Sequence, residues 1–217
     1  MRLGVLSDIH ANRVALDAVF EDMPPVDGVV CAGDVVGYNP WPAACVDAVR
    51  EQGIPTVMGN HDRAVASGTA FRFNGMAKAG VEHARSELDE ERLEWLRSLP
   101  DERTVENVKL VHGHPEDPDR YTYPREFRAE MLGEEDVLVL GHTHVQDHRT
   151  FDDGVVMNPG SVGQPRDGDP DAAYALLDTE TLNVEERRVA YDVERVVDAV
   201  GMAGLPRRTG ERLREGK

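Results

Sequence analysis

Residues 1–34 read MRLGVLSDIHANRVALDAVFEDMPPVDGVVCAGD, and their reading decides the fold. Leu3 to Leu6 is a short apolar run with the look of a buried strand. From Ala11 to Met23, Val14, Leu16, Val19 and Phe20 fall near helical spacing, with Asn12 placed to cap the helix. The stretch GVVCAGD is a second buried strand. The pattern continues with a helix over Pro40 to Gln52, opened by proline and closed by Gly53, and a third strand in PTVMGN. Continuous apolar strands alternating with helices predict parallel strands covered on both faces.

The middle of the chain, Asn74 to Leu99, reads as two helices that break near Leu88 and Asp89. Beyond it TVENVKLV predicts two short strands around Glu106 and Asn107. DVLVLGHTH, DHRTF, GVVMNPGS, AAYALLD and LNVEERRV predict five more, with DDG as a hairpin turn. Tyr191 to Ala203 reads as a helix. The expectation is a single domain over residues 1–204, with a parallel half followed by a more antiparallel half. Residues 205–217 read as a charged, loose tail.

The 217 residues carry 24 Lys and Arg against 41 Asp and Glu, a formal net charge of −17, and lysine is confined to Lys78, Lys109 and Lys217. That balance excludes bulk nucleic-acid binding, which needs broad phosphate contact. An acid-rich, lysine-poor chain also resembles proteins of high-salt cytoplasm. No apolar run approaches the length of a membrane span. Asp8 and His10 interrupt the N-terminal apolar segment too early for a signal peptide, so a cytoplasmic protein is expected. Cys31 and Cys45 read as buried reduced thiols.

The chemistry gathers where apolar runs stop. The first ends in SDIH (Asp8, His10), the second in AGD (Asp34), the third in GNHD (Asn60, His61, Asp62). Later runs end in VHGH (His112, His114) and GHTH (His142, His144). Ligands of α/β sheets bind outside the carboxyl ends of the strands, so residues far apart in sequence can converge there. On a strand, residues two apart share a face, which would pair Asp8 with His10 and His142 with His144. Gly33 and Gly59, just before two of these groups, allow close approach. Carboxylate and carboxamide oxygens mixed with imidazole nitrogens suit divalent transition ions. The set is too large for one ion. Two ions sharing a bridging carboxylate would use it, an arrangement suited to displacement at phosphorus by a metal-generated hydroxide.

The ordered set D-x-H, G-D, G-N-H-D, H-G and G-H-x-H resembles that of the calcineurin-like metallophosphoesterase superfamily, and NPGSVGQPRDG (158–168) is similar to its bacterial and archaeal phosphodiesterase branch. The resemblance implies an α/β class fold, a four-layer α/β/β/α sandwich with two mixed central sheets flanked by helices. It implies that Asp8, His10 and His144 hold a first metal, that Asp34 bridges, and that Asn60, His112 and His142 complete a second. The two divalent ions would be manganese first, with iron, nickel, cobalt or zinc as alternatives. His61 would contact the phosphate and act as general acid, with Asp62 orienting it. Asn60, His61, His114 and Arg166 are the candidate substrate contacts. The implied activity is hydrolysis of a small phosphodiester or phosphomonoester by a metal-bound hydroxide. Rivals are a serine/threonine protein phosphatase or dinucleoside tetraphosphatase of the same superfamily, and a non-catalytic metal-binding scaffold. The phosphatase branch carries G-D-x-x-D-R-G where this chain has GDVVGYN, with Gly37 and Tyr38 at the Asp and Arg positions. Tyr38 and Asn39 are candidate rim residues. Arg63, His83 and His148 read as surface or structural groups, and Ser161 as part of a turn rather than a nucleophile.

Overall fold

The computed structural model describes residues 1–70 and 73–217. In chain order the elements are β1 (Arg2–Leu6), α1 (Arg13–Asp22), β2 (Gly28–Cys31), α2 (Pro42–Glu51), α3 (Asn60–Ser67), α4 (Gly75–Glu87) and α5 (Glu90–Ser98). Then come β3 (Glu102–Val105), β4 (Val108–Val111), β5 (Val137–Val139), β6 (Asp147–Phe151), β7 (Gly154–Asn158), β8 (Ala172–Asp178) and β9 (Asn183–Val189). The chain ends in α6 (Val193–Met202) and α7 (Arg207–Glu211).

The strands form two mixed sheets, ordered β2-β1-β8-β9 and β3-β4-β5-β7-β6. Side-chain alternation explains how they stack. Leu3, Val5, Ala175 and Leu177 of the first sheet meet Val108, Leu110, Val137, Val139, Val155 and Met157 of the second in one inter-sheet core. The alternate residues of the first sheet, Leu6, Cys31, Tyr174 and Leu176, face outward and are covered by α1 to α5. Those of the second, Val111, Leu138 and Val156, are covered by Phe127, Met131 and Leu132.

The layers agree with expectation except on that last face. Its cover is two single 3₁₀ turns, Pro124–Glu126 and Ala129–Met131, rather than longer helices. Pro115, Pro118, Pro124 and Gly133 punctuate this stretch and prevent a longer helix. The expected parallel half followed by a more antiparallel half agrees with the pairings. β1 pairs parallel with β2, and β4, β5 and β7 are parallel to one another, while antiparallel neighbours close both sheets. The third expected strand shrinks to one parallel bridge, Cys31 to Thr56, because Gly59 already caps α3. Helix α3 itself is not anticipated by hydrophobic spacing. Its signal is Asp62 in the first turn, whose Oδ2 accepts from the Gly59 N–H at 3.1 Å.

Asn12 caps α1 as expected, accepting from Ala15 N, and Asn74 and Asp89 cap α4 and α5. Cys31 and Cys45 are free and buried. The C-terminal segment is not loose. α7 and a 3₁₀ turn, Arg212–Glu215, fold back on α6 so that Leu205 and Leu213 join Val196 and Val200 in a buried cluster, with Trp41 packed against it. The two leucines supply the apolar surface that its charged composition masks.

Leu213→Ala should therefore lower the unfolding free energy by about 2–5 kcal/mol, read by urea titration. A loss of only a few tenths of a kcal/mol would show that the segment contributes no packing.

Candidate metal centre

Every candidate ligand lies in a connection that leaves the C-terminal end of a strand or opens a helix, and all converge at one end of the two sheets. Asp8 and His10 follow β1, Asp34 follows β2, and Asn60 and His61 begin α3. His112 follows β4, and His142 and His144 follow β5. They do not share pleated strand faces, as the spacing suggested. Asp8, His10, Asp34, His142 and His144 have φ between +47° and +66°, off the strand and in the left-handed region. Each such residue costs on the order of 1–3 kcal/mol and persists only where its surroundings overdetermine it. Here main-chain bonds do so. Asp8 N donates to Gly33 O, His10 N to Asp34 O, Gly163 N to Asp8 O, and Arg166 N to His144 O, at 2.9–3.1 Å.

The two carboxylates are held alike. Asp8 Oδ2 accepts from Ser7 Oγ at 2.6 Å and His142 N at 3.0 Å. Asp34 Oδ1 accepts from His61 N, at the start of α3, at 2.8 Å. The second oxygens, Asp8 Oδ1 and Asp34 Oδ2, are buried without a hydrogen-bond partner, as is His142 Nε2. Three imidazoles are fixed through the other nitrogen. Nδ1 of His10, His112 and His144 faces Val36 O (3.1 Å), Ala32 O (2.7 Å) and Gln164 O (2.5 Å). A carbonyl can only accept, so each Nδ1 carries a proton and each ring turns its Nε2 inward, the atom a metal would take.

Those inward atoms crowd together. His10 Nε2 and His144 Nε2 are 3.1 Å apart. Asp8 Oδ1 is 3.1 Å from His144 Nε2, and Asp34 Oδ2 is 3.6 Å from His10 Nε2 and 3.3 Å from His112 Nε2. Asn60 Oδ1 is 3.2 Å from His112 Nε2. Lone pairs aimed at one another in a water-poor interior repel unless a cation lies among them. Asp8, His10 and His144 form one three-ligand group and Asp34, His112 and His142 another. The residues therefore fit divalent metal.

Burial lowers the pKa of His142 to about 4, helped by His112, and that of His144 to about 3, helped by Arg166, so both rings are neutral and able to bind metal. Burial opposes charge on Asp34 and Asp8, but facing histidines, His112 for the first and His144 for the second, hold both carboxyls well below their usual range. Burial also opposes protonation of His112, yet Asp34 outweighs it and lifts its pKa to about 10. Without metal, that proton offsets the Asp34 charge; a divalent cation takes over its place.

His61 is buried beside the cluster, between the rings of Tyr38 and Phe73, with centroids at 4.6 and 4.5 Å. Its Nδ1 has no partner, and a Cβ on Gly37 would overlap that atom, so the glycine makes the seat. Burial holds His61 well below its usual pKa against the pull of Asp34. Asp62 does not orient His61. Adjacent helical residues point about 100° apart, and the Asp62 carboxylate instead accepts from Val36 N and Gly59 N, tying the Asp34 loop to α3. Gly59 admits no side chain, because a Cβ would overlap Asp34 Oδ1.

His114 is not brought into the cluster; its Nδ1 accepts from Glu116 N in a turn that spans Pro115. Arg166 lies at the edge, bonded to Gln164 Oε1 at 2.7 Å and Tyr38 Oη at 3.2 Å. Asn39 donates to His10 O. Arg63 pairs with Asp101 and Asp119, His83 with Pro40 O, and His148 with Glu186. Ser161 is structural, donating to Asp8 O and accepting from Gln164 N. Tyr121, whose ring lies 3.8 Å from that of His142, has no motif to announce it.

A family model of the calcineurin-like phosphoesterase superfamily domain matches residues 1–182. A probable metallophosphoesterase of Methanothermobacter thermautotrophicus is 31% identical over 89% of this chain and 95% of its own. Phosphodiesterase YfcE of Escherichia coli is 29% identical over 85% and 91%. The crystal structure of a metallophosphoesterase from Sphaerobacter thermophilus superposes with a TM-score of 0.86 at 33% identity, covering 100% of this chain and 99% of that one. The chain belongs to the calcineurin-like phosphoesterase superfamily, whose members are metal-dependent, and it is a hydrolase of phosphoester bonds. No helix among the described residues is long and apolar enough to cross a membrane.

Metal binding must displace the His112 proton, so affinity should rise with pH below about 10 and metal uptake at pH 7.5 should release about one proton. Calorimetry in buffers of different ionisation enthalpy reads this directly. No release would contradict the proposed role of His112.

Proposed function

We propose that this phosphoesterase uses two divalent ions to hydrolyse a small phosphodiester or phosphomonoester, the diester being preferred. Asp8, His10 and His144 hold the first ion, Asn60, His112 and His142 the second, and Asp34 bridges them. Manganese is the first choice, with iron, nickel, cobalt or zinc able to use the same nitrogen and oxygen donors. The supporting observation is the pair of buried, unpartnered oxygens, Asp8 Oδ1 and Asp34 Oδ2, facing the inward Nε2 atoms of the histidines.

Bound ions supply Lewis-acid activation of water and neutralise charge at phosphorus. The chain's own groups do the rest. Asn60 adds a ligand oxygen without adding charge. His61, free of protein partners at Nδ1, can donate a hydrogen bond to the ester; to give a proton to the leaving group it must first be protonated, which the anionic ester promotes against burial. Arg166 is tethered at the edge of the site, where a guanidinium can meet a phosphate oxygen. Asp62 acts through the Asp34 loop and does not touch the ester. The cytoplasmic location and the single-domain organisation belong to this reading.

The phosphatase and tetraphosphatase reading depends on an aspartate paired to the site histidine. Gly37 stands at that position and leaves His61 Nδ1 unpaired.

Hydrolysis of bis-p-nitrophenyl phosphate and p-nitrophenyl phosphate with manganese, with metal content measured on the same samples, tests the proposal. Asp34→Asn should lose roughly a hundredfold or more in kcat/KM with its circular dichroism unchanged. His61→Ala should lose turnover while keeping its metal. One ion per chain without hydrolysis would favour a metal-binding scaffold, and parallel loss of metal and turnover in His61→Ala would contradict the role of His61.

A further inference from the structure

The cluster opens into a groove larger than a phosphoryl group requires. Asn60 and His142 form its inner end, so it is continuous with the metal centre, and its volume is about 660 Å³, the size of a small-molecule site. Ala70 and Phe73 line one wall and Tyr121 the other, with the hydroxyls of Ser67 and Thr69 at the rim.

Tyr121 is 48% exposed although its ring lies on that of His142. Tyr123, also exposed, stacks beyond it at 6.4 Å with the ring planes 19° apart, and the Arg125 guanidinium lies 5.3 Å from the Tyr123 centroid. Three large apolar side chains are exposed among the described residues, and two of them are these tyrosines. Exposed apolar surface gathered beside a site marks ligand contact.

We propose that the groove binds the nucleobase of a nucleoside phosphate ester, stacked on Tyr121. This rests on the reading above that phosphorus sits at the cluster. A flat aromatic wall recognises a planar ring through its face. The Ser67 and Thr69 hydroxyls and the Asp119 carboxylate can meet the polar ring edge, which an alkyl chain would leave unanswered. Arg63, in the same groove, is already held by Asp101 and Asp119, so the groove offers little to a second phosphate. With a net charge of −17 the chain repels a polynucleotide, which limits the ligand to nucleotide size.

Calorimetric titration of the manganese-loaded, full-length protein with AMP, ribose 5-phosphate and inorganic phosphate tests the proposal. AMP should bind about tenfold or more tightly than ribose 5-phosphate, the effect of one base–aromatic stack. Tyr121→Leu should remove that difference while metal content and phosphate affinity persist, and Tyr121→Trp should retain it. Ser67→Trp, which fills the groove from its rim, should also remove it. Equal affinities for AMP and ribose 5-phosphate, no binding of AMP, or equal loss of both ligands in Tyr121→Leu would overturn the proposal. Absence of ester hydrolysis would instead count against the proposed function, because this comparison reads binding alone.

Discussion

Two buried carboxylates, each tied to the main chain by one oxygen and left bare at the other, set the terms for the rest of this molecule. An unpaired charged oxygen in an interior costs several kcal/mol. Asp8 and Asp34 bear that cost side by side, in front of imidazoles whose lone pairs also point inward. The surrounding backbone reads as the means of holding them there. Carbonyls of Ala32, Val36 and Gln164 orient three histidine rings. Gly59 lets α3 start against Asp34, and the NPGS turn reaches back through Ser161 to the Asp8 carbonyl. The two sheets provide the frame, since their parallel strands bring connections from both to one end.

Most of the frame is legible in the sequence because strands buried on both faces leave continuous apolar runs. Leu3 and Val5 face one core and Leu6 another, and the same alternation assigns Val137 and Val139 opposite Leu138. The convergence of Asp8, His10, Asp34, Asn60, His112, His142 and His144 is legible too, since five apolar runs end in polar donors. The way they converge is not. Strand alternation accounts for two residues sharing a face, but five of the seven lie in left-handed turns. Asp and His are poor predictors of that conformation; tertiary hydrogen bonds impose it. Asp62 shows the same limit. Its place beside His61 suggested partnership, whereas helix geometry sends it to the amides of Val36 and Gly59. In the C-terminal segment two leucines outweigh a charged composition, and around Tyr121 no pattern signals that an aromatic ring covers His142.

The acidity of the chain and the chemistry of its centre act at different ranges. Net charge of −17 governs what approaches from afar, and disfavours long polyanions. Within the cluster, local geometry dominates, and the same negative character becomes a demand for cations. Gly37 links family membership to individuality: it stands where the phosphatase branch has an acid, and it leaves His61 seated against Tyr38 without a carboxylate at Nδ1. This site thus has a neutral, desolvated histidine beside its candidate metal ligands and an aromatic-walled groove opening past Asn60.

The most direct test of the central claim is an anomalous-difference map from crystals grown with manganese. Two peaks about 3.5–4 Å apart, with Asp34 Oδ2 between them and Asp8 Oδ1 on the one nearer His10, are expected. A single peak, or ions bound without Asp8 Oδ1 and Asp34 Oδ2, would contradict it.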